Sequence, residues 1–240
     1  MPYVHRKITT LFINWWAWIA DYTYVVYWQI HDFIFKNDPL FYSTDKDSSF
    51  TKTPILLIPG VYENWQFMKP VADLLHKNDH PIYIADGIGY NTGDVEKMAE
   101  LVNDFIEAST IESCIIVAHS KGGLIGKLLL SDFNGHKKIK GMIALNTPFS
   151  GSLYAYALPF KSIQVFKPNS PILSRLNKNT IVNKNIISIY GQFDPHIPKG
   201  SYLEGAQNIQ LNTRGHFRIM NDADVHVAIL DGIDTLLPLS

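Results

Sequence analysis

Three residues far apart in the chain, Ser120, Asp194 and His216, are of the types that together turn a hydroxyl into a nucleophile. A serine hydroxyl attacks poorly near neutral pH until an imidazole takes its proton. A carboxylate that fixes the imidazole tautomer and steadies the imidazolium completes the set. The chemistry they would support is acyl transfer through a covalent acyl-serine.

Each of the three follows a strand-like run. Ser120 closes Ile116-Val117-Ala118-His119 and precedes Lys121-Gly122-Gly123, with a helix-like stretch from Leu124 to Asp132 behind it. A strand that bends sharply into a helix lifts the serine hydroxyl above the sheet, and the small residues Ala118 and Gly122 let the two elements pass closely. The N–H of Lys121 opens that helix, where unpaired donors and the positive end of the dipole suit an oxyanion. Alone, this pentad equally describes a strand-turn-helix with an inert serine, so its context decides.

Upstream, Pro54-Ile55-Leu56-Leu57-Ile58-Pro59-Gly60-Val61 reads as a strand buried on both faces that runs into a turn. The turn predicts the Val61 N–H as the second oxyanion donor beside that of Lys121. Downstream, Asn185 to Asp194 is another buried strand that delivers Asp194 just past its carboxyl end, where α/β sheets carry their chemistry. A short strand, Asn208 to Leu211, then leads through Asn212-Thr213-Arg214-Gly215 to His216.

The order Ser120, Asp194, His216 is that of the α/β-hydrolases. The segments Ala118 to Gly123, Leu145 to Ser152, Leu203 to Gln210 and Gly215-His216 resemble the α/β-hydrolase superfamily, in particular small bacterial triacylglycerol lipases and esterases. The resemblance covers residues 54 to 237. It implies hydrolysis of a carboxylic ester or lipid by Ser120, Asp194 and His216, with no cofactor and no metal. Two positions depart from the pattern: Pro59-Gly60 stands where His-Gly is common, and Lys121 stands where an apolar side chain is frequent, its ammonium expected to face either a substrate anion or solvent. For the substrate pocket the expected residues are Tyr62, Phe149, Tyr154 and Phe193.

Other residues compete for these roles. His119 lies inside the elbow on the face opposite the nucleophile, which predicts packing. His196 follows Asp194 too closely to turn back on it and reads as loop or pocket rim. His226 reads as a structural helix residue, and Asp222 and Asp224 as acids in a first helical turn.

The elements needed to hold such a site alternate along the chain. Helical patterns at Trp65 to His76, Asp94 to Ala108 and Asp222 to Leu237 separate or follow strand patterns at Pro81 to Ala85, Ser113 to Ala118 and Lys140 to Leu145. The fold class is α/β, a mainly parallel sheet flanked by helices, with a short cap over about residues 150–182. At 240 residues and 46% hydrophobic composition the chain can bury one large core. The net charge of −1 excludes a nucleic-acid partner on balance of charge. Cys114, the single cysteine, has no intrachain partner and falls in a strand, so it reads as core. No spacing suggests zinc.

From Phe133 to Phe193 there is no Asp or Glu, while eight lysines and arginines fall there, and Leu153 to Leu176 adds Tyr154, Tyr156, Phe160 and Phe166. That composition fits either a basic, aromatic cap facing an anionic substrate or lipid surface, or a solvated loop. Residues 1–42 form a separate aromatic and apolar helical segment, followed by a polar linker over 43–53 and the hydrolase domain over 54–240. Four of the five tryptophans lie in the first 28 residues, and Asp21 is the only formal charge from Ile8 to Ile30. A helix there carries Thr10, Asn14, Asp21 and Asp32 on one narrow stripe. No small-residue cleavage site follows the apolar run, which argues against a cleaved signal peptide and for a cytoplasmic or membrane-associated protein. A spanning helix would bury Asp21 at a cost of roughly 2.5–3.5 kcal/mol. The remaining expectations for residues 8–35 are packing on the hydrolase body or lying on a membrane surface. An acyltransferase or thioesterase fits the same three residues, and so does a catalytically silent lipid-binding protein.

Overall fold

The computed structural model describes residues 2–35, 37–43 and 50–237. Most of the polar linker, residues 44–49, and the side chains of residues 2–13, Thr10 among them, lie outside what is described.

Six strands, β1 (Ile55–Ile58), β2 (Ile82–Ile84), β3 (Cys114–His119), β4 (Ile139–Leu145), β5 (Ile186–Phe193) and β6 (Gln207–Arg214), form one sheet in the order β2-β1-β3-β4-β5-β6. Every pairing is parallel. The central runs read as unbroken apolar sequence because both faces are covered. Leu56, Ile58, Ile116, Ala118, Met142 and Ala144 point into one core, and Ile55, Leu57, Ile115, Val117, Ile143 and Leu145 into the other, as the two-residue strand period requires. Helices α3 (Val95–Ala108), α4 (Lys121–Leu128) and α6 (Pro171–Lys178) supply Val95, Val102, Leu124, Leu128 and Leu173 to the first layer. Helices α2 (Lys69–Lys77) and α7 (Ala223–Leu236) supply Val71, Leu75, Val225 and Ile229 to the second. Cys114 is buried in the core, where desolvation pushes its thiol up to about 12, so it is an inert apolar residue.

The helix expected from Leu124 to Asp132 starts earlier, at Lys121, and from Leu129 to Phe133 widens into a π-helical turn. Asp222 caps α7, its carboxylate accepting the N–H groups of Asp224 and Val225. His226 bonds the Met220 carbonyl at 2.8 Å.

Between β4 and β5 the chain rises above the carboxyl ends of the strands. It makes a 3-10 turn (Leu153–Tyr156), the single turn α5 (Lys161–Gln164) and α6. Ile172, Leu173 and Leu176 of α6 anchor this segment in the first core layer.

Helix α1 (Pro2–Ile34) spans 33 residues, yet among the described residues no helix is long and apolar enough to cross a membrane. Its inner stripe is in contact with the body. Ala17, Asp21 and Trp28 are buried, Tyr24 donates to the Phe67 carbonyl at 3.0 Å, and Asn14 accepts from Arg214 at 2.6 Å. Asp32 accepts from Gln66 at the far end of the stripe. The opposite face exposes Trp15, Trp16, Ile19, Val26, Tyr27, Ile30 and Phe33. An apolar helix normally hides such residues, so the outer face is the unusual one.

Candidate active site

Ser120 sits at φ 50°, ψ −118° between β3 and α4. This is a sparsely populated backbone region for a residue with a Cβ, and strain of this kind is held by its surroundings. Here the Ser120 N–H donates to Leu145 O at 2.9 Å, tying the bend to β4. Gly122 permits the sharp turn: a Cβ there would lie 2.2 Å from the carbonyl oxygen of Ile58 on the neighbouring strand.

Asp194 lies just beyond β5 and His216 just beyond β6, both in loops at the same end of the sheet. The Ser120 hydroxyl donates to His216 Nε2 at 3.0 Å, and His216 Nδ1–H donates to Asp194 Oδ2 at 2.7 Å. The other carboxylate oxygen of Asp194 accepts the N–H groups of His196 and Ile197 at 2.7 and 3.0 Å, which fixes its plane. All three side chains are buried. Burial opposes the charge on Asp194, but the His216 charge and the hydrogen bonds from His216 and the His196 N–H prevail, holding the carboxyl below its ordinary value. Burial likewise disfavours a charged His216. The charge and hydrogen bond of Asp194, with Asp21 and Glu63 behind it, overcome this and raise its pKa above the ordinary 6.5.

The two residues expected to donate to an oxyanion, Lys121 and Val61, lie in α4 and in the loop after β1. Lys121 is the first residue of α4, so its N–H has no intrahelical acceptor. In the loop after β1 the Gly60 N–H is taken by the Glu63 carboxylate at 2.9 Å and the Tyr62 N–H by Tyr90 O at 2.8 Å. Val61 between them lines the pocket together with Ser120.

The side chain of Lys121 takes neither of the two directions considered from sequence, solvent or substrate. It is fully buried and donates to the carbonyls of Asn91, at 2.8 Å, and Gly93. Burial pushes its ammonium down to about 8, against a partly opposing Asp94.

A pocket of about 310 Å³ opens over Ser120. Its walls come from the loop after β1 (Val61, Tyr62), the cap (Tyr154, Leu158, Phe160, Ile163, Phe166) and α1 (Tyr22, Val25, Gln29). Among the described residues no lysine or arginine lines it, while the cap aromatics Tyr154, Phe160 and Phe166 do and Tyr156 is exposed away from it. Of the four residues expected at the substrate pocket, Tyr62 and Tyr154 line this cavity and Phe149 and Phe193 do not. Phe149 turns down into the core beneath the cap with Ala155 and Phe166. Phe193 ends β5 opposite Arg214, and strand alternation sends it away from the side taken by Asp194. His196 is part of the wall, its ring 4.9 Å from that of His216 and 5.6 Å from Trp18. Burial and the neighbouring His216 charge push His196 down to about 3, so it stays neutral.

His119 is not mere packing. Fully buried behind the elbow, it donates from Nε2 to the His216 carbonyl at 2.9 Å, and its Nδ1 is hydrogen-bonded to the Glu63 carboxylate, also at 2.9 Å. Asn146, at the end of β4, donates to the carbonyls of Gly215 and His216 at 3.0 and 3.1 Å. Among the described residues no group of His, Cys, Asp and Glu has the arrangement of a metal site.

A family model described as alpha/beta hydrolase fold matches residues 53–167, the part that holds β1, the elbow and β4. The chain has the α/β-hydrolase fold. Solved structures agree. A Bacillus licheniformis lipase in propeptide form superposes with a TM-score of 0.63 at 14% identity, over 81% of this chain and 52% of that one. A structure from work on carboxylesterases of the thaumarchaeon Nitrososphaera gargenis gives 0.56 at 12% identity, over 79% and 92%. The mouse alpha/beta hydrolase domain-containing protein 10 gives 0.55 at 17% identity, over 79% and 93%. No curated protein sequence matches the chain.

Within this fold, sequence reasoning missed Glu63, Asn146 and the buried contact of Asp21 with the His216 N–H. Asp21 did carry a signal: a lone charge in an apolar helix must find a partner when it is buried.

Proposed function

We propose that this protein is a serine hydrolase that cleaves carboxylic esters with an apolar acyl group. The observation that carries this reading is the hydrogen-bonded line from Ser120 Oγ through His216 to Asp194 at the floor of an apolar pocket. Ser120 Oγ attacks the acyl carbonyl while His216 Nε2 takes its proton, forming a tetrahedral intermediate. The N–H groups of Val61 and Lys121 stabilise its oxyanion. Collapse expels the alcohol, which leaves with the proton from His216, and water then repeats the sequence on the acyl-serine to release the acid. Asp194 keeps Nδ1 protonated and stabilises the imidazolium throughout. Because among the described residues no lysine or arginine lines the pocket, the bound part of the substrate is read as neutral. A volume near the lower end of the roughly 300–1,000 Å³ common for ligand pockets favours a short or medium acyl chain.

The test is the mass of intact protein after exposure to a fluorophosphonate. A single adduct on the wild type, absent from Ser120→Ala and His216→Ala, is the expected result. A folded wild type that takes up no adduct, with or without micelles, overturns the reading in favour of a silent binding protein. Product partition with an added alcohol then separates hydrolysis from acyl transfer.

The exposed aromatic face of α1 supports a second element of this reading, that the protein docks on a lipid surface. Trp15 and Tyr27 are amphipathic side chains suited to that boundary, and α1 also forms one wall of the pocket. Co-sedimentation with phosphatidylcholine vesicles is expected for the wild type and lost on changing Trp15, Tyr27 and Phe33 together to serine. Equal sedimentation of the two proteins removes the docking element and leaves the esterase reading intact.

A further inference from the structure

We propose that Asp21 is a positioning residue for His216, so that helix α1 is a working part of the active site rather than an appendage to the hydrolase body. The proposal rests on the serine-hydrolase reading above.

Asp21 is fully buried, and its carboxylate receives three consecutive backbone N–H groups: His216 at 2.8 Å, Phe217 at 2.8 Å and Arg218 at 2.9 Å. These donors sit where the loop after β6 enters the 3-10 turn Arg218–Asn221, a place where N–H groups have no acceptor of their own. A carboxylate gathering three of them acts as an N-cap supplied from 195 residues away. Gly215 fits the contact. It adopts φ 119°, and a Cβ on it would come within 2.7 Å of Asp21 Oδ1.

The opposite side of the same peptide is also held. The His216 carbonyl accepts from His119 and from Asn146. The backbone of His216 is therefore gripped at its N–H by α1 and at its C=O by β3 and the end of β4. Its ring is left to swing only about its side-chain torsions, which Asp194 and Ser120 then fix. Removing Asp21 frees the N–H side, and a small misplacement of a general base is costly to rate.

Asp21 also contributes charge. The ionisable groups facing His216 are Asp194 and His196 from the segment after β5, Glu63 from the loop after β1, His119 from β3 and Asp21 from α1. Asp21 is one of the carboxylates that favour the protonated imidazole. A merely structural role would leave the His216 titration where it is.

The experiment compares Asp21→Asn with wild type on a soluble short-chain ester, with Thr23→Ala on the solvent side of α1 as control. The expected result for Asp21→Asn is a fall in kcat of about tenfold or more with KM changed less than about twofold. The acid limb of kcat/KM moves to lower pH, and the His216 ring titrates lower by NMR. Thr23→Ala matches wild type. A folded Asp21→Asn with wild-type kcat and an unmoved His216 titration overturns the proposal. Should Asp21→Asn not fold, Asp21→Glu keeps the charge and displaces the oxygens that receive the three N–H groups: a lower kcat with an unmoved acid limb supports the proposal, and an unchanged kcat overturns it. If the wild type takes up no fluorophosphonate, the hydrolase reading fails, and the NMR titration still reports on Asp21 separately.

Discussion

His119 Nε2 donates to the carbonyl oxygen of His216 at 2.9 Å, so the residue immediately before Ser120 holds the backbone of the residue that Ser120 bonds to. The same imidazole reaches Glu63, whose carboxylate accepts the Gly60 N–H in the loop that carries Val61. One buried pair thus ties together the elbow, the histidine loop and the loop after β1.

This pair is expected to be strongly coupled. His119→Leu leaves Glu63 as a buried carboxylate with no imidazole, which costs about 3–5 kcal/mol. Adding Glu63→Leu recovers part of the loss, and urea unfolding of the two single variants and the double variant should give a coupling of about 1–3 kcal/mol. Strictly additive losses would show that the two side chains do not act as a unit.

The pH dependence follows from the direction of the His216 shift. Neutral imidazole accepts the serine proton, and carboxylates raise the His216 pKa above 6.5. Activity is therefore lost as pH falls through that raised value, and kcat/KM for a soluble ester should show an acid limb with its midpoint above 6.5. In Asp194→Asn the midpoint moves down, and kcat drops by about 10⁴-fold as the tautomer is lost.

Narrowing the pocket should change chain-length preference. Ile163 lines the cap side, and Ile163→Trp takes up space that acyl carbons would occupy. Each methylene excluded forfeits about 0.8 kcal/mol, roughly fourfold in kcat/KM. A series of nitrophenyl esters should therefore shift its optimum toward shorter acyl groups, with little change for acetate. An unaltered optimum would mean that the acyl chain lies elsewhere.

Lys121 is expected to matter for stability and not for substrate charge. Lys121→Met leaves the Asn91 and Gly93 carbonyls without their donor at a cost of about 1–3 kcal/mol, visible as a lower Tm. The ratio of rates on neutral and anionic esters should not move. A changed ratio would place the ammonium in the substrate path.

What could be read in the sequence was what is local. The strands of the central sheet are apolar runs because both faces are buried, and Ser120 and Asp194 follow such runs, so their order and setting are legible in the sequence alone, whereas His216 follows the more polar edge strand β6. Orientation was not. Phe149 and Phe193 are aromatic residues near the right strand ends, but whether such a ring faces pocket or core depends on the cap packed above it. Lys121 looked solvent-facing or substrate-facing because nothing in its own segment predicts that the loop at Asn91 closes over it. Glu63 and His119 meet across 56 residues, and Asp21 and His216 across 195, distances at which spacing carries no information.

The contact between Asp21 and His216 has a consequence for how the molecule is made. Helix α1, apolar and aromatic, is synthesised 195 residues ahead of the backbone it caps at residue 216. At about 5–20 residues per second it waits on the order of ten seconds or longer for that partner. Until this long loop closes, the general base has no fixed seat. On the serine-hydrolase reading, Ser120 therefore gains its fully positioned general base only once the segment near residue 216 has closed onto α1.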